Sequence, residues 1–325
     1  MNKKLLILPV VLAGLGLASC QKKATTDQTM KVASTRGVAT VALAGQVQNG
    51  NYTFKQNASE VANEVTRSTQ DVVVVDSALG LHKLVAEETK GYAVTRLVSN
   101  NSDYLVPLTA NATPTADSVI VAYAKGSASD LALQKLCSGY WNVNATIKYV
   151  ANPLEAVEVM LSKKLGELNV DFVVAPYATA LISELDLSTA TSLNNAWASY
   201  TEALENVERQ ERIPGLVTFV SKNAASTKVN GLESFYTDLN IGIDNAVTNP
   251  DRLKIVMNSY SQDEKQQIQF FETCATLVGE AQKENANKLE LVRKDDVGDV
   301  KAYLDSFMKL VDAETVDYSS CYFAE

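Results

Sequence analysis

The side chains that could carry catalysis are few in this sequence, and histidine is the scarcest of them. His82 is the single histidine among 325 residues, so a zinc or manganese site built on two or three histidines is excluded. A Ser-His-Asp triad would have to use His82, and the sequence has neither a Gly-x-Ser-x-Gly elbow nor a glycine-rich nucleotide loop. The sequence therefore predicts no cofactor, no metal and no enzymatic activity, and we expect His82 to lie at the surface or in packing.

A cysteine near the N-terminus offers different chemistry. Two lysines precede an apolar run from Leu5 to Gly16, and the tetrapeptide from Leu17 to Cys20 follows it. A basic end, an apolar middle of about 7–15 residues and small residues at the cleavage point are typical of a secretory signal peptide. The run is shorter than the roughly 20 apolar residues that span a bilayer. An ordinary signal peptide with an incidental cysteine is one interpretation.

The tetrapeptide Leu-Ala-Ser-Cys also resembles the lipobox of bacterial lipoproteins. The resemblance implies that residues 1–19 are removed and that Cys20 is lipidated, with palmitate among its acyl chains. Several acyl chains together give stable membrane anchoring. We therefore expect a body held by lipid on the extracytoplasmic face of a cell membrane, with residues 20–29 as a flexible tether.

Composition limits the possible partners. The net charge is −9 and the pI about 4.9, which argues against nucleic acid, because phosphate binding needs clustered Lys and Arg. Hydrophobic residues make up 46% and charged residues 21%, as in a globular protein. After Cys20, three cysteines remain: Cys137, Cys274 and Cys321. We expect buried free thiols, and one disulfide with one thiol left over is the alternative.

Strand and helix patterns occur in two similar sets along the chain. Each set runs strand, glycine-containing loop, helix, strand, helix, buried strand and loop. The first set extends from Lys31 to Val75 and the second from Ser118 to Val174. Alternating strands and helices predict parallel sheets, whose ligands lie beyond the carboxyl ends of the strands. From Trp197 the pattern changes to longer helices. The first is predicted from Trp197 to Arg209, and we expect the mostly helical remainder, Val229 to Tyr322, to return to the first unit.

Several short stretches resemble the solute-binding lipoproteins of ABC importers, in particular the nitrate, sulfonate and thiamine-precursor type of periplasmic binding protein. The stretches are Arg36-Gly37, Asp71 to Ala78, Gly126 to Ser129, Asp171 to Thr179, and Trp197 to Tyr200 followed by Ile213 to Gly215. The resemblance implies an α/β, two-lobed type II periplasmic-binding-protein fold. Each lobe would be a mixed, mainly parallel sheet flanked by helices, with the ligand cleft between the lobes.

The resemblance and the repeated pattern together predict the domain organisation. Lobe 1 comprises residues 30–110 and 213–325, and lobe 2 comprises residues 111–212. We expect the lobes to close about a hinge of two segments, near Leu108 to Pro114 and near Ile213 to Leu216.

The residues expected to contact a solute follow from the same topology. Arg36 would be a bidentate partner for an anionic group, and the serines before the first helix of lobe 2 could bind oxygens. A solvated arginine, helix capping alone and interlobe packing are the alternatives at these positions. The predicted ligand-binding residues are Arg36, Gly37, Ser77, Ala78, Ser127, Ser129, Tyr177 and Thr179.

The resemblance implies a monomeric receptor that captures a small polar or anionic organic solute and delivers it to an ABC permease. Two other functions stay open from the sequence. One is an enzyme on the same fold, resembling thiamine-pyrimidine synthases, for which His82 is the only candidate histidine. The other is a lipoprotein that binds another protein, because a fold alone does not determine function.

Overall fold

The computed structural model describes residues 27–47, 50–86, 91–182, 187–261, 288–296, 298–312 and 316–323. The described part contains two five-stranded sheets, each flanked by helices, and a small two-stranded hairpin. The signal peptide, Cys20 and Cys274 lie outside the described residues. Among the helices of the described part, none is both long enough and apolar enough to cross a membrane.

The first sheet has the strand order β2-β1-β3-β12-β4. Its elements before the crossover are β1 (Met30–Thr35), α1 (Val38–Leu43), β2 (Gly50–Lys55), α2 (Ala58–Ala62), α3 (Glu64–Arg67), β3 (Val72–Asp76), α4 (Ser77–Ala86) and β4 (Tyr92–Leu97). The return segment supplies β12 (Leu216–Ser221), α9 (Lys222–Thr227), α10 (Val229–Thr248), α11 (Pro250–Asn258) and α12 (Val300–Val311). Strand β12 pairs antiparallel with both neighbours, so it runs opposite to the other four strands.

The second sheet has the order β11-β5-β10-β6-β7. Its elements are β5 (Asp103–Pro107), β6 (Val119–Tyr123), α5 (Ala128–Lys135), β7 (Thr146–Val150), α6 (Pro153–Ser162), β10 (Phe172–Pro176), α7 (Tyr177–Ile182), β11 (Thr191–Ser192) and α8 (Leu193–Glu202), with the hairpin β8 (Lys164–Leu165) and β9 (Leu168–Asn169) after α6. Here β5 is the strand that runs opposite to the others. The predicted fold class, two mixed and mainly parallel sheets, is confirmed.

Local sequence signals explain several of these elements. The four valines from Val72 to Val75 have no exposed surface, as predicted for a strand that is covered on both faces. Helix α6 begins where a cap and an N1 proline predict it, because Asn152 Oδ1 accepts hydrogen bonds from the amides of Leu154 and Glu155 at 3.0 and 3.1 Å. Ser127 caps α5 through a 3.2 Å bond from the Asp130 amide.

Helix α8 differs from its predicted position. The sequence predicted a helix from Trp197 to Arg209, whereas α8 spans Leu193–Glu202. It begins earlier because Ser192 caps it, and its apolar face includes Leu193 and Trp197. The acidic residues beyond it, Glu205 and Glu208, are exposed, as expected for solvated charges.

The chain passes between the sheets at two adjacent segments. The Asn101 amide donates to the Ile213 carbonyl at 2.8 Å, and the Gly215 amide donates to the Ser99 carbonyl at 3.0 Å. A Cβ on Gly215 would lie 2.6 Å from the Asn100 carbonyl oxygen, so these segments need glycine to lie this close. The second crossover lies at Ile213 to Gly215, within the segment that the sequence predicted as a hinge, and hinge motion there stays a prediction.

The first crossover lies earlier than the sequence predicted. The prediction put the hinge near Leu108 to Pro114 and the end of the first segment of lobe 1 at residue 110. Strand β5 instead pairs with β10 in the second sheet, so the chain leaves the first sheet before Asp103. The residue ranges of the two lobes otherwise stay a prediction.

Two of the cysteines predicted to be free thiols lie in the described part. Cys137 and Cys321 are both buried and unpaired. Burial raises the pKa of each thiol to about 11, which keeps it protonated and unreactive at neutral pH. His82 is half-buried on α4, with its Nε2 atom 3.1 Å from Asp312 Oδ1.

Candidate functional site

A cavity of about 130 Å³ lies between the two sheets, at the carboxyl ends of their strands. The loop after β1, the end of β3, the end of β6 and the end of β10 all contribute to its lining, together with the crossover segments at Ser99 to Asp103 and at Gly215. Loops at strand ends are where open α/β sheets bind ligands. This cavity is therefore the candidate ligand site.

Five of the eight residues predicted from the sequence line this cavity. They are Arg36, Gly37, Ser127, Ser129 and Thr179. The structure thus brings together residues of both sheets that are up to 143 positions apart, counted from Arg36 to Thr179. Their role in binding a solute stays a prediction, which the experiments below address.

The other three predicted residues do not line this cavity, although each is next in the chain to, or within two residues of, one that does. Ser77 is fully buried beneath the crossover, where its hydroxyl donates to the Pro214 carbonyl at 3.3 Å. Ala78 is fully buried in the core. Tyr177 is 8% exposed and packs against the Tyr104 ring, with 6.1 Å between centroids. These side chains turn away from the cavity because the helices that follow β3 and β10 begin immediately after the strands.

Arg36 is the cation of the cavity. Its backbone amide donates to the Lys55 carbonyl at 2.9 Å, which fixes the loop after β1. Gly37 follows with φ near +100°, a conformation that favours glycine, and α1 begins at the next residue. The guanidinium makes no ion pair with any residue of the described part, and its buried Nε has no hydrogen-bond partner there. It is therefore free to bind an anionic group.

Asp76, at the end of β3, connects the two lobes and was missed by the sequence-based prediction. Its Oδ1 accepts hydrogen bonds from the amides of Leu79 at 3.1 Å and Ala128 at 3.0 Å. Ala128 is the first residue of α5, so the free amide expected to bind an anion there already has a carboxylate partner. Burial raises the pKa of Asp76 to about 7, a net shift to which the nearby Asp103 carboxylate adds and which the amide hydrogen bonds oppose.

Asp103, at the start of β5, is the second carboxyl group that the prediction missed. It is 3% exposed. Its Oδ1 accepts a hydrogen bond from the Tyr123 hydroxyl at 2.7 Å, and its Oδ2 accepts one from Asn101 Nδ2 at 3.2 Å. Burial raises the pKa of Asp103, and the neighbouring Ser129 hydroxyl and the hydrogen bonds from Tyr123 and Asn101 oppose the shift. The sequence feature that could have identified Asp76 is its position at the end of a buried strand, whereas no local pattern identifies Asp103.

Comparisons with known proteins identify the fold. The sequence matches no protein-family model, and no curated protein is similar to it in sequence. Solved structures are similar in fold. The periplasmic aliphatic sulphonate binding protein SsuA from Escherichia coli superposes with a TM-score of 0.57 at 10% identity, covering 92% of this chain and 93% of that chain.

Two further structures extend this result. An ABC transporter protein from Parabacteroides distasonis gives a TM-score of 0.56 at 14% identity, over 88% of this chain and 92% of its own. The ligand-binding component of an ABC-type import system from Staphylococcus aureus was solved with zinc bound. It gives a TM-score of 0.55 at 9% identity, covering 86% of this chain and 99% of that chain. The chain has the periplasmic binding protein fold, and its structural neighbours include binding components of ABC transporters. The predicted resemblance is thus confirmed at the level of the fold.

Proposed function

We propose that this protein is a solute receptor of an ABC importer, which captures a small polar or anionic organic solute in the cavity between its lobes and delivers it to a membrane permease. The observation that carries the proposal is the cavity itself, which lies at the strand ends of both sheets and contains an unpaired arginine. Periplasmic binding folds close around ligands by hinge motion. The two adjacent crossover segments, at Asn101 and Ile213, are the candidate hinge, because they lie in the short loops between the sheets.

Capture in this cavity requires no covalent step. The described lining residues include serine, threonine, asparagine, aspartate, tyrosine and arginine, which hold and orient a ligand through hydrogen bonds. His82, the histidine that an enzymatic alternative would need, is not among them and instead pairs with Asp312. We propose that the receptor acts as a monomer. A permease and an ATPase encoded beside the gene for this protein would support transport over the enzymatic alternative.

Arg36→Ala is expected to weaken solute binding about ten- to a hundredfold, because a hydrogen bond to a charged group contributes about 1.5–3 kcal/mol. A thermal-shift screen of the purified full chain against anions, sulfonates, pyrimidines and amino acids first identifies a ligand, since binding raises the apparent stability. Calorimetry then compares the affinities of the variant and the parent protein.

The matched control is Arg209→Ala. Arg209 is exposed on the second lobe and pairs with the exposed Glu202 and Glu211, outside the cavity lining. This control should bind as tightly as the parent protein. Equal affinity in Arg36→Ala would show that the solute binds elsewhere or is held by other lining groups.

We also propose that Cys20 is lipidated and anchors the receptor to the extracytoplasmic face of the cell membrane. The support is the signal-peptide pattern and the Leu17 to Cys20 tetrapeptide. In a bacterial host, Cys20→Ala should move the protein from the membrane fraction to the soluble fraction, because stable anchoring depends on the acyl chains. Fractionation with immunoblotting measures this shift.

The buried cysteine Cys137 supplies the control for that experiment. Cys137→Ala should leave the protein in the membrane fraction, since this thiol lies inside the second lobe. A Cys20→Ala variant that stays with membranes through salt washing contradicts the anchor.

A further inference from the structure

The cavity between the lobes contains more acidic than basic groups. Its described lining includes the carboxyl groups of Asp76 and Asp103 and the guanidinium of Arg36. Asp103 is buried, and Asp76 is partly exposed and lines the cavity. None of the three side chains takes part in an ion pair with the described residues of this protein.

Within the described part of the chain, these two carboxyl groups have hydrogen-bond donors but no counter-charge. The donors to Asp76 are backbone amides, and those to Asp103 are a tyrosine hydroxyl and an asparagine amide. Neutral donors reduce the cost of enclosing a carboxylate, but buried charges in proteins are usually paired with an opposite charge. The missing cation must come from a molecule that enters the cavity, or the carboxyl groups must hold protons.

An independent observation points to a ligand at the same place. Ser129 lines the cavity and is 6% exposed, and its buried Oγ has no well-aligned hydrogen bond to any residue that the structure describes. Its hydroxyl lies close enough to Asp103 to oppose the rise of that pKa. Buried polar atoms are normally satisfied, so this hydroxyl is a further polar group available to a ligand beside Asp103.

The size of the cavity limits what can enter. A cavity of about 150 Å³ accepts benzene, so the 130 Å³ between the lobes suits a solute of about six heavy atoms. Arg36 forms no ion pair with either carboxylate, so the positive and negative groups of the protein stay apart within this small space. A ligand can reach both only if it carries both charges itself.

Resting on the proposed function, we infer that the solute is a small zwitterion, with a protonated amine against Asp103 and Asp76 and a carboxylate or similar anionic group on Arg36. Fully ionised, the three side chains carry a net charge of −1. A simple anion would leave both carboxylates without a counter-charge, and a simple cation would leave Arg36 without one. A zwitterion supplies a counter-charge to both sides, with its one amine shared by the two carboxylates. Ammonium–carboxylate and guanidinium–carboxylate hydrogen bonds are the strong, charge-assisted kind.

Matched probes test this inference on the unmodified protein. Calorimetry on the EDTA-treated full chain compares L-alanine and β-alanine, two zwitterions with different charge spacing, with propionate, which lacks the amine, and ethylamine, which lacks the carboxylate. We expect at least one zwitterion to bind about ten- to a hundredfold more tightly than propionate or ethylamine, because each of these loses one charged hydrogen-bonding end.

A pair of variants assigns the amine to the acidic side. Asp103→Asn should weaken binding of the zwitterion about ten- to a hundredfold and leave binding of propionate within about twofold, because only the zwitterion uses the negative charge. Asp117→Asn, a change at an exposed position outside the cavity lining, should alter neither. The probe comparison needs no variant, so a misfolded Asp103→Asn protein does not prevent the test.

The outcomes separate this inference from the proposed function. If propionate binds as tightly as both zwitterions, or if Asp103→Asn binds the zwitterion normally, the zwitterion assignment is overturned while a receptor for small anions stands. If sulfonates or pyrimidines bind and no amine does, the assignment is likewise overturned. If no probe in either panel binds, both the inference and the receptor function are overturned.

Discussion

Trp197→Ala should lower the free energy of unfolding by about 3–5 kcal/mol, the usual range for truncating a large buried aromatic residue. Trp197 on α8 has no exposed surface, and its ring packs against Phe307 of α12, with 5.4 Å between centroids. Its Nε1 donates a hydrogen bond to Gln210 Oε1 at 3.1 Å. The change would leave both a cavity and a buried acceptor without its donor, and each of these destabilises a protein.

The second tryptophan of the chain provides a matched control. Trp141 is only partly buried and lies edge-on to Tyr140, which is itself exposed. Trp141→Ala removes the same number of atoms. It should lower the free energy of unfolding by less than about half as much as Trp197→Ala, because the Trp141 side chain buries less apolar area. Urea unfolding followed by circular dichroism gives both values, provided that the m-values agree. Equal losses in the two variants would contradict the assignment of Trp197 to the core between α8 and α12.

The sequence could predict the elements whose causes are local. The run from Val72 to Val75 is a buried strand because each of its residues is apolar and β-branched, and the start of α6 is determined by Asn152 and Pro153 within one turn. The repeated order of strands and helices predicted two mainly parallel sheets, and the resemblance to solute-binding lipoproteins implied that they are mixed. Arg36 could be placed at the cavity because its loop directly follows the first strand.

Pairing between distant segments was not predictable in the same way. Strand β5 belongs to the second sheet only because Asp103 to Pro107 pairs with Phe172 to Pro176, more than 60 residues later. No composition change marks that choice, so the sequence placed the first crossover too late. Ser77 and Ala78 were assigned to the cavity because the strand before them ends there, but helix α4 begins at Ser77 and turns both side chains into the protein.

The acidic side of the cavity was missed for a related reason. Asp76 accepts a hydrogen bond from the amide of Ala128, which is 52 positions away and begins helix α5 beside the other sheet. Asp103 is enclosed by Tyr123 and Asn101, from the next strand and the crossover. Whether an aspartate is exposed or enclosed depends on such contacts, and the overall charge of −9 gave no reason to select these two among 38 acidic residues.

Enclosure of Asp76 has a measurable consequence for stability. The ordinary pKa of this carboxyl group is 3.8, and burial raises its pKa to about 7 in the folded protein. Between these values the folded state binds more protons than the unfolded state, so the free energy of unfolding falls as the pH rises and levels off above about pH 7. Burial also raises the pKa of Asp103, so this carboxyl group changes the stability in the same direction. The other ionisable groups in the described lining of the cavity are Arg36 and Tyr123.

In the solute-free parent protein, the free energy of unfolding should fall between pH 5 and pH 8 by about 2–3 kcal/mol more than it does in Asp76→Asn. The reason is that each pKa unit corresponds to about 1.36 kcal/mol. The asparagine Oδ1 can still accept the amides of Leu79 and Ala128, so the contact between the lobes is retained while its charge is lost. Urea unfolding at pH 5, 6, 7 and 8 measures the slope for the parent protein, for Asp76→Asn and for the exposed control Asp117→Asn. The control should follow the parent curve. A variant curve that is as steep as the parent curve would mean that Asp76 is already ionised near its ordinary pKa, and that the cavity is more hydrated than its enclosed geometry implies.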